Sequence, residues 1–156
     1  GHLMSKNPKK SPGDGASGAP LVARHLHLGW WFIAIYLSMG MVLEAMHGFK
    51  VDWYLNVANE TRRLMFTLAH SHGTLIGILH LAFAFTLSRA AAAEVAWARR
   101  AGACLTGAAI LLPGGFLLGG VVVYDGDPGR GVLLVPVGAA LLLIAVLTTA
   151  VNARKG

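Results

Sequence analysis

The chain has 156 residues, of which 55% are hydrophobic and only 13% are charged. A soluble domain usually has about a quarter of its residues charged. The charged residues here lie at the ends and between four long apolar runs, which leave no room for a soluble catalytic domain. The net charge of +6 is spread over these ends and loops rather than gathered in one patch, so we expect no nucleic-acid partner.

We predict that residues 1–22 form a disordered tail. The segment "SKNPKKSPGDGASGAP" is rich in Pro, Gly, Ser and Lys and has no apolar periodicity. The first residues, "GHLM", resemble a cloning remnant that leads into an initiating Met4, so His2 is left out of functional reasoning.

Residues 23–156 are predicted to form an all-α, four-helix transmembrane domain. About 20 apolar residues cross a bilayer, and the predicted spans cover about 26–48, 62–88, 99–124 and 131–152. Short loops between successive spans favour an up-down bundle. Pro113 predicts a kink in the third span, and "DGDPGRG" predicts a tight turn after it.

The distribution of Lys and Arg predicts the orientation of this bundle. Basic residues are in excess before the first span, between the second and third, and after the fourth. The positive-inside rule therefore places both termini in the cytoplasm, and we expect an integral protein of a bacterial inner membrane. A bundle this small buries little of itself, so we also expect a homodimer or higher oligomer through the third and fourth spans.

The polar residues of the first span share one predicted stripe with small residues. At 100° per residue this stripe contains Gly29, Ile33, Tyr36, Gly40, Glu44 and His47. It should face protein, because a carboxylate that faces lipid costs several kcal/mol. In the second span, His70 and His72 are 200° apart, so they should face different neighbours.

Depth along the helices predicts two histidine clusters. The outer cluster contains Glu44, His47, His70 and His72, which a rise of about 1.5 Å per residue brings to similar depths. Asp125 or Asp127 could join it, although both are more typical of a turn. The inner cluster is His80, with Tyr36, or with His25 or His27 if the first helix starts deep. Otherwise His25 and His27 are expected at the membrane interface without a site role.

Imidazole is the commonest metal ligand and a usual axial ligand of haem. Two sites therefore remain open. In the first, haem b is bound by histidines drawn from His47, His70, His72 and His80, in a slot lined by Gly and Ala. In the second, Glu44, His47, His70 and His72 hold a bare Cu, Fe or Zn ion. No catalytic residue is assigned.

The segment "TLAHSHGTL" (residues 67–75) resembles the second helix of haem-copper oxidase catalytic subunits. In that family a histidine followed by glycine ligates a low-spin haem, and the matching position here is His72, before Gly73. The resemblance covers one helix and implies a haem ligand at His72.

These patterns together predict a membrane metalloprotein with a redox or electron-transfer role and a redox partner. The alternatives are a metal-ion transporter or metal-handling accessory protein, a proton relay, and a structural accessory subunit of a membrane complex.

Overall fold

A computed structural model describes residues 18–89 and 95–153, and this part of the chain is almost entirely helical. The α-helices are α1 (Ala19–Gly48), α2 (Asp52–Leu55), α3 (Glu60–Arg89), α4 (Val95–Val121) and α5 (Leu134–Ala153). Short 3-10 segments at Val57–Asn59 and Arg130–Leu133 lead into α3 and α5.

Four helices, α1, α3, α4 and the segment that contains α5, are long and apolar enough to cross a membrane. The first begins at Ala19, earlier than the predicted limit at residue 26, because Pro20 lies in its first turn. A proline fits there, since the N–H that it lacks has no partner within the helix. The end of the predicted tail is therefore helical, and residues 1–17 of that tail lie outside the described part.

The long helices pack in chain order, α1 on α3, α3 on α4 and α4 on α5. Within the described residues α1 makes a small contact with α4 and no extensive contact with α5. The bundle is thus an open row in which α1 and α5 are the edge helices. Both edge helices expose most of their apolar side chains, as suits helices that face lipid or another chain.

The core lies between α3, α4 and α5, and its buried residues are Ile76, Phe83, Ala101, Leu105, Ala109, Leu112 and Ala145. The contact between α1 and α3 depends on glycine. A Cβ atom at Gly77 would lie 2.8 Å from Ile33 Cγ1 and 3.0 Å from the Ile33 backbone nitrogen. The backbones of α1 and α3 therefore approach each other more closely than any larger residue would allow.

A two-residue hairpin follows α4. Val123–Tyr124 pairs antiparallel with Asp127–Pro128, and the turn residues Asp125 and Gly126 have φ angles of 46° and 90°. Left-handed backbone at both positions is typical of a type I′ turn, which Asp-Gly favours. The tight turn is confirmed, while the third helix ends at Val121 rather than at residue 124.

Buried Arg62 joins the start of α3 to α2 and to the last turn of α4. Its Nε donates to the Gly120 carbonyl at 3.1 Å, and its Nη1 donates to the Trp53 carbonyl at 2.8 Å. The guanidinium carbon also lies 4.2 Å from the centre of the Trp53 ring. Thr61 donates from its hydroxyl to the Gly126 carbonyl. These contacts hold the α2 loop and the hairpin against the helices.

Candidate histidine sites on α1 and α3

The antiparallel register of α1 and α3 fixes the relative depth of the predicted ligands. Gly40 lies beside His70, and Ile33 lies beside Gly77. Continuing this register places Glu44 level with Phe66 and His47 level with Arg63. At 1.5 Å per residue, Glu44 is then about 6 Å and His47 about 10 Å further out than His70. The prediction that all four ligands share one depth is therefore not met.

Glu44 and His47 are both exposed in the described chain, and the His47 ring approaches only Tyr54 of α2, at 6.5 Å between ring centroids. The buried residue at this end of α1 is Leu43, which packs with Tyr54 and Phe66. At Glu44 the predicted stripe fails because packed antiparallel helices follow a repeat close to 3.5 residues. Over three turns, the interface moves from the Glu44 position to the preceding residue.

His70 and His72 face different helices, as their spacing predicts. The Nδ1 atom of His70 lies 2.7 Å from the Tyr36 carbonyl of α1. The ring of His72 packs on Phe116 of α4 at a centroid distance of 5.1 Å, and its Nδ1 lies 2.8 Å from its own helix's Leu68 carbonyl. Because a carbonyl can only accept, each Nδ1 carries the proton, and in the neutral ring each Nε2 keeps a lone pair.

The predicted four-ligand cluster does not form within one chain. Across residues 18–89 and 95–153, no three His, Cys, Asp or Glu side chains are grouped so as to hold a metal ion. Asp125 and Asp127 lie exposed in the hairpin. A site that contains Glu44, His47, His70 and His72 stays a prediction, and it would need residues from a second copy of the chain.

The haem slot predicted above would be lined by Gly and Ala, but neighbouring side chains occupy the space beside two glycines of α3 and α4. The Tyr36 ring lies against Gly73, and the Phe66 ring approaches a Cβ position at Gly120 to 2.8 Å. These glycines serve close helix packing instead. The described helices offer no free space at these two positions for a macrocycle.

The structure brings two other histidines together, His25 of α1 and His80 of α3. Their side chains are almost completely buried, with exposed fractions of 1% and 0%. Their Nδ1 atoms are 2.8 Å apart, and their ring centroids are 4.9 Å apart with 26° between the planes. The two nitrogens therefore lie between the rings and face each other. One imidazole donates its N–H, and the other accepts with its lone pair.

The His25–His80 pair is enclosed by apolar side chains at the junction of α1, α3 and α4. The rings of Phe83 and Phe32 lie 4.8 Å from His25 and 5.3 Å from His80. A Cβ atom at Gly102 of α4 would collide with His25 Nε2. Only a glycine at this position of α4 leaves room for the His25 ring.

One nitrogen of the pair has no partner. His80 Nε2 is buried near the backbone of Leu105 but makes no hydrogen bond of good geometry. Leaving a buried polar atom unpaired costs about 1–3 kcal/mol. Whichever ring donates the shared proton, His80 Nε2 keeps no hydrogen bond of good geometry, so the buried pair is not a fully satisfied polar contact.

An apolar cavity of about 230 Å³ lies between α3 and α5, beside the pair. Phe83 and Leu105 line this cavity and also border the two histidines. The lining is mostly apolar, and its two polar side chains, Thr86 and Thr149, donate their hydroxyls to the Ala82 and Ala145 carbonyls.

His25 was the site residue most easily missed in the sequence. It lies ahead of the predicted span, where an interfacial role is the simpler interpretation. Its signal is the spacing of four residues before Gly29, which extends the buried stripe by one turn. The early start of α1 is the condition under which His25 was expected to reach His80. Two residues further on, His27 is exposed and only approaches Trp31, at 6.2 Å between ring centroids.

Tyr36, which was predicted to join His80 in the inner cluster, makes its hydrogen bond to α4 instead. Its hydroxyl donates to the Ala109 carbonyl of α4 at 3.3 Å. Pro113 lies four residues after Ala109 and has no N–H, so that carbonyl lacks its usual helical partner. Tyr36 supplies the missing donor and links α1 to α4.

Comparison of the chain with protein-family models, with curated proteins and with solved structures finds no match.

Proposed function

We propose that this protein is an integral membrane protein that binds a transition-metal ion through histidines of α1 and α3. Four helices of sufficient length and apolarity support membrane insertion. The excess of Lys and Arg at the ends and in the loop between α3 and α4 supports cytoplasmic termini, in a bacterial inner membrane.

The observation that carries the proposal is the buried His25–His80 pair. Two imidazole nitrogens bound to one tetrahedral metal at 2.0–2.1 Å are about 3.3 Å apart. The observed Nδ1–Nδ1 separation is 2.8 Å, so a ring movement of about half an ångström would admit an ion. Neutral imidazoles suit Zn, Cu, Fe and Ni.

The outer histidines support a second site of the same kind, completed by a second copy of the chain. A metal-ligating histidine usually donates its other N–H to a backbone carbonyl or carboxylate. His70 and His72 both make such a contact to a carbonyl. Glu44 and His47 lie exposed on the edge helix α1, where another protomer could reach them.

Redox chemistry or electron transfer with a partner is the role predicted from the sequence, and metal handling is the alternative. Both need an ion bound in the bundle. A bare ion suits the observed packing better than haem b, because side chains already occupy the space beside Gly73 and Gly120.

The proposal is tested by elemental analysis and a visible spectrum of the detergent-purified protein. We expect about one Cu, Fe or Zn per chain from a site of one histidine pair. His25→Ala and His80→Ala should lose this metal, whereas His27→Ala, an exposed neighbour on α1, should keep it. A Soret band that survives His80→Ala but disappears in His72→Ala would support haem and overturn the bare-ion proposal. Absence of both metal and Soret band would reject a metalloprotein.

A further inference from the structure

We infer that the His25–His80 pair takes a monovalent ion of low coordination number, Cu(I), in preference to Zn(II) or other divalent ions. This inference rests on the proposed function and specifies the ion that the site binds.

The number of available ligands disfavours Zn(II). The pair supplies two nitrogens, and within the described residues no His, Cys, Asp or Glu joins it to make a group of three. Zn(II) is almost always four-coordinate in proteins. Around the pair lie the rings of Phe32 and Phe83 and a mostly apolar cavity, whose two threonine hydroxyls already donate to carbonyls of their own helices. The site therefore suits an ion that is stable with two ligands.

Charge leads to the same conclusion. Both imidazoles are neutral ligands, and the residue that precedes His25 in the chain is the positively charged Arg24. The cost of transferring an ion into a medium of low dielectric constant rises with the square of its charge. Transfer of a divalent ion to this place would cost about four times as much as transfer of a monovalent ion, and in the described part of the chain no carboxylate joins the pair to offset that cost.

The geometry suits linear coordination. The two Nδ1 atoms face each other between the rings, so an ion placed between them has its ligands on opposite sides. Two metal–nitrogen bonds of about 2 Å span about 4 Å, so the rings must separate by about 1 Å. The proton on the donating Nδ1 moves to Nε2 of the same ring, and both Nδ1 lone pairs then bind the ion. Both imidazoles stay neutral, and no proton is released.

A site of this kind favours holding or transferring Cu(I) over cycling between two oxidation states, because Cu(II) prefers a square-planar or tetragonal ligand set. The inference therefore supports the metal-handling alternative over electron transfer.

The experiment is a competition titration of the full-length protein in detergent, under anaerobic reducing conditions, with Cu(I), Ag(I) and Zn(II) as separate probes. We expect Cu(I) and Ag(I) to bind at least about 100-fold more tightly than Zn(II), a difference of roughly 2.8 kcal/mol. X-ray absorption of the Cu(I) form should show two nitrogen ligands and no third.

The variants separate ligation from folding. His80→Ala should lose Cu(I), whereas His80→Cys should retain it, because a thiolate is a soft ligand that suits Cu(I). His27→Ala is the matched control, and circular dichroism with size exclusion checks that each variant is folded. If His80→Ala is unfolded, the X-ray absorption spectrum of the native protein in its Cu(I) form still gives the number of ligands.

Each remaining outcome contradicts a defined part of the argument. Zn(II) binding as tightly as Cu(I), at the same two histidines, would refute the choice of ion and leave the proposed function intact. Three or four ligands in the Cu(I) form would refute two-coordination. If none of the ions binds to the folded protein in a manner that depends on His25 and His80, both the inference and the proposed metal site at this pair fail.

Discussion

The contact between α1 and α3 gives the sharpest prediction about stability, through the substitution Gly77→Ala. The new Cβ would lie 2.8 Å from Ile33 Cγ1, 3.0 Å from the Ile33 nitrogen and 3.2 Å from the Gly29 carbonyl oxygen. Two of these three atoms belong to the backbone, so no rotation of a side chain can relieve the overlap.

The cost follows from the movement that this overlap requires. Non-bonded carbon atoms are most stable about 3.5–4.0 Å apart, so α1 must move away from α3 by about 0.7–1 Å. Overpacking of this size typically costs 1–3 kcal/mol. The His25–His80 pair and the Tyr36 carbonyl that His70 contacts lie on the same two helices, so their hydrogen bonds would be stretched as well.

Gly114→Ala is the matched control. It makes the same chemical change within a long helix, but a Cβ at Gly114 meets no heavy atom within 4 Å. Alanine has the higher helix propensity, so this variant should be neutral or gain up to about 1 kcal/mol. We therefore expect Gly77→Ala to be less stable than Gly114→Ala by about 1–3 kcal/mol.

Reversible unfolding of both variants in mixed micelles, followed by circular dichroism, measures this difference. Equal free energies of unfolding for the two variants would show that α1 and α3 do not approach each other as closely as described. The depth assigned to every histidine on these helices would then have to be revised.

Two further predictions concern buried polar contacts. Arg62→Ala should lower the free energy of unfolding by about 2–4 kcal/mol, because two carbonyls lose a charged donor and an indole loses its cation. The partly exposed neighbour Arg63 supplies the control, and Arg63→Ala should cost about 1 kcal/mol or less in the same unfolding assay. Similar losses of stability in both variants would argue against the buried contacts described for Arg62. Tyr36→Phe should cost about 1 kcal/mol, and less in a Pro113→Ala background, where an N–H returns to the helix. A double-mutant cycle that shows no coupling between these two positions would contradict the compensation.

Composition alone was sufficient to predict the four long helices. Four long and largely apolar runs favour helices that can cross a bilayer, although Glu44 interrupts the first run and three histidines lie in the second. The helix limits differ from the predicted ones by seven residues at the start of α1 and by four or fewer elsewhere. The tight turn was also predictable, because Asp125 and Gly126 are the residue types that adopt left-handed backbone most readily.

The faces of the helices could not be predicted as well. The stripe on α1 was correct from Gly29 to Gly40 and failed at Glu44. A small difference between a 3.6-residue and a 3.5-residue repeat adds up over several turns. The difference depends on how two helices cross, which is a property of the pair and is not encoded in either segment alone.

The candidate site, too, could be predicted from the sequence only in part. The spacing of His70 and His72 predicted that they would face different neighbours, because an angle of 200° holds for any helix. The meeting of His25 and His80 depended on where α1 begins, and its first turn contains Pro20, the last residue of the Pro-rich and Gly-rich segment "SKNPKKSPGDGASGAP". The register of α1 relative to α3 then depended on glycines that allow the two backbones to pack closely.

The order of the row has a consequence for how the protein is made. Each long helix after the first packs on the long helix that precedes it in the chain, so in the proposed membrane protein a helix that leaves the insertion machinery already has a neighbour in the bilayer. The chain can assemble by successive addition of helices. His25 and His80 meet when the second long helix is added, and Tyr36 reaches its carbonyl partner on α4 when the third is added. The last helix completes the row without disturbing any contact made earlier.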